Sequence, residues 1–179
     1  MIYVTADLHL GHENICKGLS SWDDKSTCRP FDTVEQMNKT LLDGVNTLTP
    51  DDVLIHLGDF AFGNPQRFLP YLKPHVIFVK GNHDRRLSTV DFDDMFTYPN
   101  DIYKFEYGGK YFSCCHYPML SWIGDIMLHG HCHLECRCEE FYKTHNILDV
   151  CTCEEKNWIP WNIDDIIHKF YGDEDKVLI

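Results

Sequence analysis

Five short clusters hold the residues of this chain best suited to chemistry: Asp7-Leu8-His9, Gly58-Asp59, Gly81-Asn82-His83-Asp84, His116, and Gly130-His131-Cys132-His133. Together they offer carboxylate, amide and imidazole ligands for two metal ions. Asp7 and His9 are two residues apart, as are His131 and His133, a spacing that places both side chains on one side of an extended strand end. Asp59 has two oxygens and can bridge two ions, and Gly58 before it lets the backbone come close. Asn82 adds a neutral amide oxygen and His116 an imidazole. Such mixed N and O donors suit Mn, Fe, Zn, Ni or Co better than the all-oxygen sites of Ca or Mg. Two such ions, about 3.5–4 Å apart, can share a water, lower its pKa and clamp phosphoryl oxygens. In-line attack then needs an acid for the leaving oxygen. His83 is the candidate, and Asp84 beside it is a candidate for fixing its tautomer. The chemistry these residues point to is metal-assisted hydrolysis of a phosphate ester.

Most clusters directly follow an apolar run that reads as a strand. The first three runs are Ile2 to Ala6, Val53 to Leu57 and Val76 to Val79. Ile126 to Leu128 precedes the Gly130 cluster, and Asn146 to Val150 reads as a further strand. Ile102 to Tyr107 and Lys110 to Cys115 flank Gly108-Gly109, a two-residue hairpin signal. Asp32-Thr-Val-Glu35 is an Asp-led variant of a capping box. After it, Val34, Met37, Leu41, Val45 and Leu48 recur at helical spacing up to Pro50. Asn64-Pro65 predicts a second helix, with Phe68, Leu69 and Leu72 inward. Asn162 predicts the cap of a last one, with Ile163, Ile166, Ile167 and Phe170 on one face. Strand and helix alternate first and a hairpin follows, so the fold class is a mixed α/β layered domain. Ligand sites in open α/β sheets lie at the carboxyl ends of strands, where these clusters stand.

The 179 residues suffice for one domain, over 1–171, with an acidic tail over 172–179 that is expected to fray. A net charge of −12 argues against a broad basic surface for nucleic acid, but not against a small phosphate substrate. No apolar run approaches a membrane span and no basic stretch with an apolar h-region opens the chain. The expectation is a cytoplasmic protein (host cytoplasm for a viral one). Nine cysteines in such a chain are by default reduced thiols. The pairs Cys136/Cys138 and Cys151/Cys153 could instead face each other and hold a structural zinc.

The chain resembles the calcineurin-like metallophosphoesterases from Ile2 to about Phe170, and within them the small single-domain enzymes of bacteria and phages. Beyond the five clusters, the likeness rests on Gly11-His12, Asn14-Ile15, Arg29-Pro30-Phe31, His56-Leu-Gly-Asp-Phe60, His116-Tyr-Pro118, Asn146-Ile-Leu-Asp149 and Trp161-Asn-Ile-Asp-Asp165. The resemblance implies a four-layer αββα sandwich, two mixed β-sheets flanked by helices, with a dinuclear site at the strand ends. It also implies the ligand split: Asp7, His9 and His133 on one metal, Asn82, His116 and His131 on the other, and Asp59 bridging. Manganese is the favoured ion. His83 would be the acid, oriented by Asp84. His12 and Arg29 are candidate substrate contacts, the arginine because its fork fits a phosphate. Tyr117 and Trp122 could stack on a base or simply pack. Cys132 stands where the family commonly has a small or hydroxyl residue, and Leu134 to Thr144 matches nothing in it.

The leading expectation is therefore a phosphodiesterase for a small substrate such as a linear or cyclic nucleotide, with no large nucleic-acid partner. A phosphomonoesterase is the nearest alternative. A non-catalytic metal-binding scaffold is the alternative of another class. The protein-phosphatase branch is disfavoured because its Gly-Asp-x-Val-Asp-Arg-Gly and Gly-Asn-His-Glu are replaced by Gly58-Asp-Phe-Ala-Phe-Gly63 and Gly-Asn-His-Asp84. Oligomeric state is left open.

Overall fold

Among the described residues, nine short strands, rich in β-branched and aromatic residues, make two sheets: β1 (Ile2–Thr5), β2 (Val53–His56), β3 (His75–Val79), β4 (Phe96–Asn100), β5 (Ile102–Tyr107), β6 (Lys110–Cys115), β7 (Ile126–His129), β8 (Ile147–Asp149) and β9 (Trp161–Asn162). The computed structural model describes residues 1–87, 96–134 and 139–172. The first sheet has the order β4-β3-β2-β1-β9, with β1 to β4 parallel and β9 antiparallel to β1. The second has the order β5-β6-β7-β8, an antiparallel hairpin followed by parallel pairings. Both sheets are mixed. The hairpin turns at Gly108-Gly109, as its sequence predicts, and both glycines have positive φ.

The sheets face each other across one core. Val4, Ala6, Ile55, Leu57 and Val79 of the first meet Phe112, Cys114, Ile126 and Leu128 of the second. Helix α1 (Val34–Val45) packs Met37, Leu41 and Val45 onto the other face of the first sheet, with Leu54, Val76 and Phe78. The far side of the second sheet is covered by α2 (Glu139–Thr144), where Phe141 and Tyr142 join Met127, Ile147 and Trp122. Helix α3 (Ile163–Tyr171) adds Ile163 and Ile166 to the core between the sheets. Each fully buried Leu, Ile or Phe contributes about 1.5–3 kcal/mol. Among the described residues no helix is long and apolar enough to cross a membrane.

The structure departs from the local signals at several points, among them β4 and β9, which no apolar run marked as strands. The cap of α1 is Thr33, whose hydroxyl accepts from Gln36 N at 3.2 Å, one residue beyond the expected Asp32. Thr33 and Gln36 have capping-box spacing, and the Gln36 side chain reaches back to Asp32 N. The helix predicted after Asn64 is instead two 3-10 turns, Pro65–Arg67 and Leu69–Tyr71. Pro70 lacks the N–H that a continuous α-helix would need there, and its ring would meet the preceding turn. The stretch that resisted reading contains α2, from Glu139. Asn162 caps α3 by accepting from Asp164 N at 2.8 Å, as its position predicts.

Candidate metal centre

The clusters lie beyond the strand ends, in backbone that turns left-handed. β1 ends at Thr5, and Asp7 (φ 57°) and His9 (φ 49°) lie past it. Asp59 follows β2 with φ 57°, and His131 and His133 follow β7 with φ 70° and 50°. Pleat alternation, the basis for expecting Asp7 with His9 and His131 with His133 on one side, therefore does not aim them. Repeated left-handed kinks do. Asp and His tolerate this region better than most residues, yet each instance costs about 1–2 kcal/mol. Five such ligands together cost roughly what three to five fully buried core side chains supply. Glycines make room at the crossing points. A Cβ on Gly58 would lie 2.6 Å from His116 Nδ1 and 2.7 Å from Gly81 Cα. A Cβ on Gly130 would lie 2.5 Å from both the Ala6 Cβ and Asp7 Oδ2.

The side chains converge on Asp59. Its Oδ2 is 3.7 Å from His9 Nε2 on one side and 3.6 Å from His116 Nε2 on the other. His9 Nε2 lies 3.3 Å from His133 Nε2 and 3.7 Å from Asp7 Oδ1, and His133 Nε2 lies 3.8 Å from the same oxygen. The Asn82 amide oxygen is 2.9 Å from His116 Nε2 and 3.1 Å from His131 Nδ1. Asp7, His9 and His133 form one compact group, and Asp7, Asp59 and His116 another.

Tautomers show what this arrangement needs. His116 gives its Nδ1 proton to the Leu57 carbonyl at 2.8 Å, so in the neutral ring Nε2 carries a lone pair. That lone pair faces the Asn82 oxygen, an acceptor against an acceptor. Asp7 Oδ1 is buried without a hydrogen-bond partner. Burial, with Asp59 and Asp149 nearby, pushes the Asp7 carboxyl well above the usual range. Burial likewise holds His9 well below the usual imidazole range and His133 at about 4, with Arg29 and neighbouring histidines adding to it. Neutral imidazoles and an undercompensated carboxylate are what a cation would turn into ligands. Donor atoms about 2.1 Å from one ion lie roughly 3.0–3.5 Å apart, close to the separations here. The residues present fit divalent transition-metal ions.

Two residues stand elsewhere than expected. Asp84 does not orient the His83 ring through its carboxylate hydrogen bonds, which go to backbone. Oδ2 accepts from Asp59 N at 2.6 Å and Gly81 N at 2.9 Å, and Oδ1 from Phe60 N at 2.9 Å. It joins the loop carrying Asp59 to the loop carrying Asn82. Arg29 does not offer a free fork to a phosphate. It is 7% exposed, and its guanidinium donates to the Leu8 carbonyl at 2.7 Å and to the Asp7 carbonyl. A buried donor fork satisfies the carbonyls that the kinked backbone leaves without ladder partners.

His83 stands at the open side, its side chain 45% exposed and Nε2 3.9 Å from Asp59 Oδ2. Its backbone N–H donates to Asp59 Oδ1 at 2.8 Å. His12 stacks on Phe62 with ring centroids 3.7 Å apart, and Phe62 also lies 4.7 Å from His83. Burial, then His83 and Arg29, lower His12 to about 4. His9, His12, His83, His131 and His133 all line one open cavity of about 1230 Å³. Tyr117 packs edge-on against His116 and His131, whereas Trp122 packs with Phe141 and His145.

Several supports gave no usable sequence signal. Asp149 accepts from Leu134 N at 3.0 Å and Cys151 N at 2.9 Å, tying the His133 loop to β8. The Tyr142 hydroxyl donates to His129 Nε2 at 2.5 Å, and His129 Nδ1 donates to the Gly130 carbonyl at 2.7 Å. Cys151 Sγ lies 3.8 Å from His133 Nδ1. Only Phe62 had a signal, two residues after Phe60 in the strand-end motif. Of the expected zinc ligands, Cys136 and Cys138 lie outside the described residues. Among the described residues Cys151 lies close to Asp7 and Asp149.

The comparisons agree with this geometry. The family model described as calcineurin-like phosphoesterase matches residues 1–172. The chain is 31% identical over 141 residues to the uncharacterized protein MJ1445 of Methanocaldococcus jannaschii, spanning 74% of this chain and 69% of that one. A solved structure, the protein of unknown function AQ665 from Aquifex aeolicus, matches with a TM-score of 0.67 and 23% identity, covering 93% of this chain and 97% of that one. That second likeness is one of fold. With two mixed sheets, a metal-fitting donor cluster beyond their strands and a family match along nearly its whole length, the chain belongs to the calcineurin-like phosphoesterases, a family of metal-dependent phosphoesterases.

Proposed function

We propose that this protein is a dinuclear phosphodiesterase acting on a small substrate, with His83 as the acid. Asp7, His9 and His133 would hold one ion, Asn82, His116 and His131 the other, and Asp59 both. The observation that carries this is the convergence of carboxylate, amide and imidazole atoms around Asp59 Oδ2, with the His116 Nε2 lone pair against the Asn82 oxygen. Bound there, two ions (manganese favoured) would lower the pKa of water and polarise the phosphoryl oxygens. The chain's own residues do the rest. Asp84 and Arg29 hold the ligand loops at the required spacing. His83, exposed to the cavity and pinned by its backbone to Asp59, gives a proton to the leaving oxygen as the bond from phosphorus to it breaks. Its imidazole then takes a proton back from solvent.

A diester is favoured over a monoester by charge. Among the described residues lining the cavity, Arg29 is the only Lys or Arg, and its guanidinium is engaged with backbone carbonyls. A diester brings one negative charge, and a monoester near neutral pH brings close to two. Turnover of bis-p-nitrophenyl phosphate beside p-nitrophenyl phosphate, after chelation and add-back of Mn, Ni, Zn or Mg, tests this. Metal-restored activity with the diester preferred is expected. Preference for the monoester would make it a phosphatase, and inactivity with both ions bound would favour the scaffold alternative.

A further inference from the structure

We infer that the substrate carries a single phosphate and a bulky aromatic arm, and that the wall away from the metal ligands is built for that arm. The inference rests on the phosphodiesterase reading and deepens it.

Three observations carry it. First, the cavity is large. About 1230 Å³ exceeds the few hundred to 1,000 Å³ typical of drug-sized ligand sites, and far exceeds what one phosphate group fills. Second, the wall is aromatic and apolar. Trp22, Met119, Leu120, Phe141 and Trp158 contribute to it from four separate stretches of chain. Trp22 is 41% and Leu120 is 84% exposed, an unfavourable placement for large apolar groups that an aromatic ring would cover. Third, among its described residues this wall offers no free Lys or Arg to another phosphate. Phosphates are ordinarily met by Lys, Arg or helix N-termini. Among the described residues lining the cavity, the one guanidinium is committed to Leu8 and Asp7, and the only carboxylates off the metal cluster are Glu154 and Glu155. Both glutamates are exposed, so they would repel a second phosphate while remaining able to accept hydrogen bonds from the hydroxyls or amines of a neutral arm. A chain with net charge −12 gives a polyphosphate no compensating long-range attraction.

The test is calorimetric binding to the manganese-loaded protein of methyl phosphate, thymidine 5′-monophosphate and thymidine 3′,5′-bisphosphate. All three place one terminal phosphate on the metals, and binding is read without turnover. The expected result is that the nucleoside monophosphate binds at least ~10-fold tighter than methyl phosphate, from stacking of its base. The bisphosphate should lose most of that gain. Trp22→Ala should shrink the difference between the first two ligands. Joint Glu154→Lys and Glu155→Lys substitution should restore the bisphosphate. Equal affinity for methyl phosphate and the nucleotide, or tighter binding of the bisphosphate to the wild type, would overturn the inference. Failure of metal-restored diester turnover would instead count against the phosphodiesterase reading, whatever the binding order.

Discussion

Replacing Asp84 by Asn separates two roles for a carboxylate next to the candidate acid. If Asp84 holds backbone, the change removes a stabilising staple. If it orients His83, the change alters proton transfer. The structure favours the staple, with three backbone N–H groups held by two oxygens at 2.6–2.9 Å. Asparagine has one acceptor oxygen and a donor NH2. Placing its oxygen at Oδ2 keeps the Asp59 and Gly81 amides, but turns a donor onto the Phe60 N–H. A hydrogen bond to a charged group is worth about 1.5–3 kcal/mol, and an unsatisfied buried donor costs about 1–3 kcal/mol. Burial pushes the Asp84 carboxyl up, so the neutral amide recovers part of the desolvation cost. The net destabilisation should be about 2–3 kcal/mol. At this size that is a Tm drop of roughly 5–10 °C. Metal-free protein would be melted and also unfolded in urea, so that ligand binding does not mask the effect. Metal affinity should fall as well, because the acceptor that joins the Asp59 and Asn82 loops becomes a neutral oxygen and the Phe60 amide beside Asp59 loses its partner. Unchanged Tm, with lowered turnover and a shifted pH profile, would refute the staple and restore Asp84 as the partner of His83.

Three further outcomes follow from the same geometry. His83→Ala should slow diester turnover by ~10²-fold or more while two metals stay bound, checked by metal analysis beside single-turnover rates; metal loss would make His83 a ligand. Gly130→Ala puts a methyl 2.5 Å from Asp7 Oδ2, so it should cost about 1–3 kcal/mol and weaken metal binding by the Asp7 group, with unaltered calorimetric affinity as the contrary result. His56 is buried with both ring nitrogens unpartnered, and burial, with His116, lowers it to about 3. The neutral ring is therefore favoured by folding above its unfolded pKa near 6.5, and that stability is lost as pH falls from there toward 3. Between pH 7.5 and 4.5 the metal-free wild type should lose roughly 2–3 kcal/mol more than His56→Leu in urea unfolding, and parallel losses would show that His56 is charged when folded.

The difference between Asp84 as expected and as found shows what a sequence carries. The candidate donors were legible because their chemistry is local: Asp7, His9, Asp59, Asn82, His116, His131 and His133 stand out by atom type after strands, and the structure brings them around one point. Most strands were legible from short apolar runs and from Gly108-Gly109, where composition dictates an extended chain and a tight reversal, whereas β4 and β9 were not. The aim of the ligands was not legible. Left-handed backbone at Asp7, His9, Asp59, His131 and His133 is marked only weakly by residue type, since Asp and His tolerate that region without requiring it. What offsets its cost comes from far along the chain, from Arg29 on the Leu8 and Asp7 carbonyls, from Asp84 on the Asp59 and Phe60 amides, and from Asp149 on the Leu134 amide.

Those three supports share a logic that reading by motif inverts. Arg29 and Asp84 were assigned to substrate and to proton transfer because a charged residue near a metal cluster suggests chemistry. A kinked backbone, however, presents carbonyls and amides that no strand can pair, and burying them unpaired would cost more than the kinks themselves. Charged side chains are the groups strong enough to satisfy several at once. The site therefore uses some of its charge on its own backbone, and among the described residues the cavity keeps no free Lys or Arg. Strain at the ligands and poverty of cations at the substrate wall are then two consequences of one arrangement. A substrate suited to it would put its phosphate on the ions and its bulk on the aromatic wall.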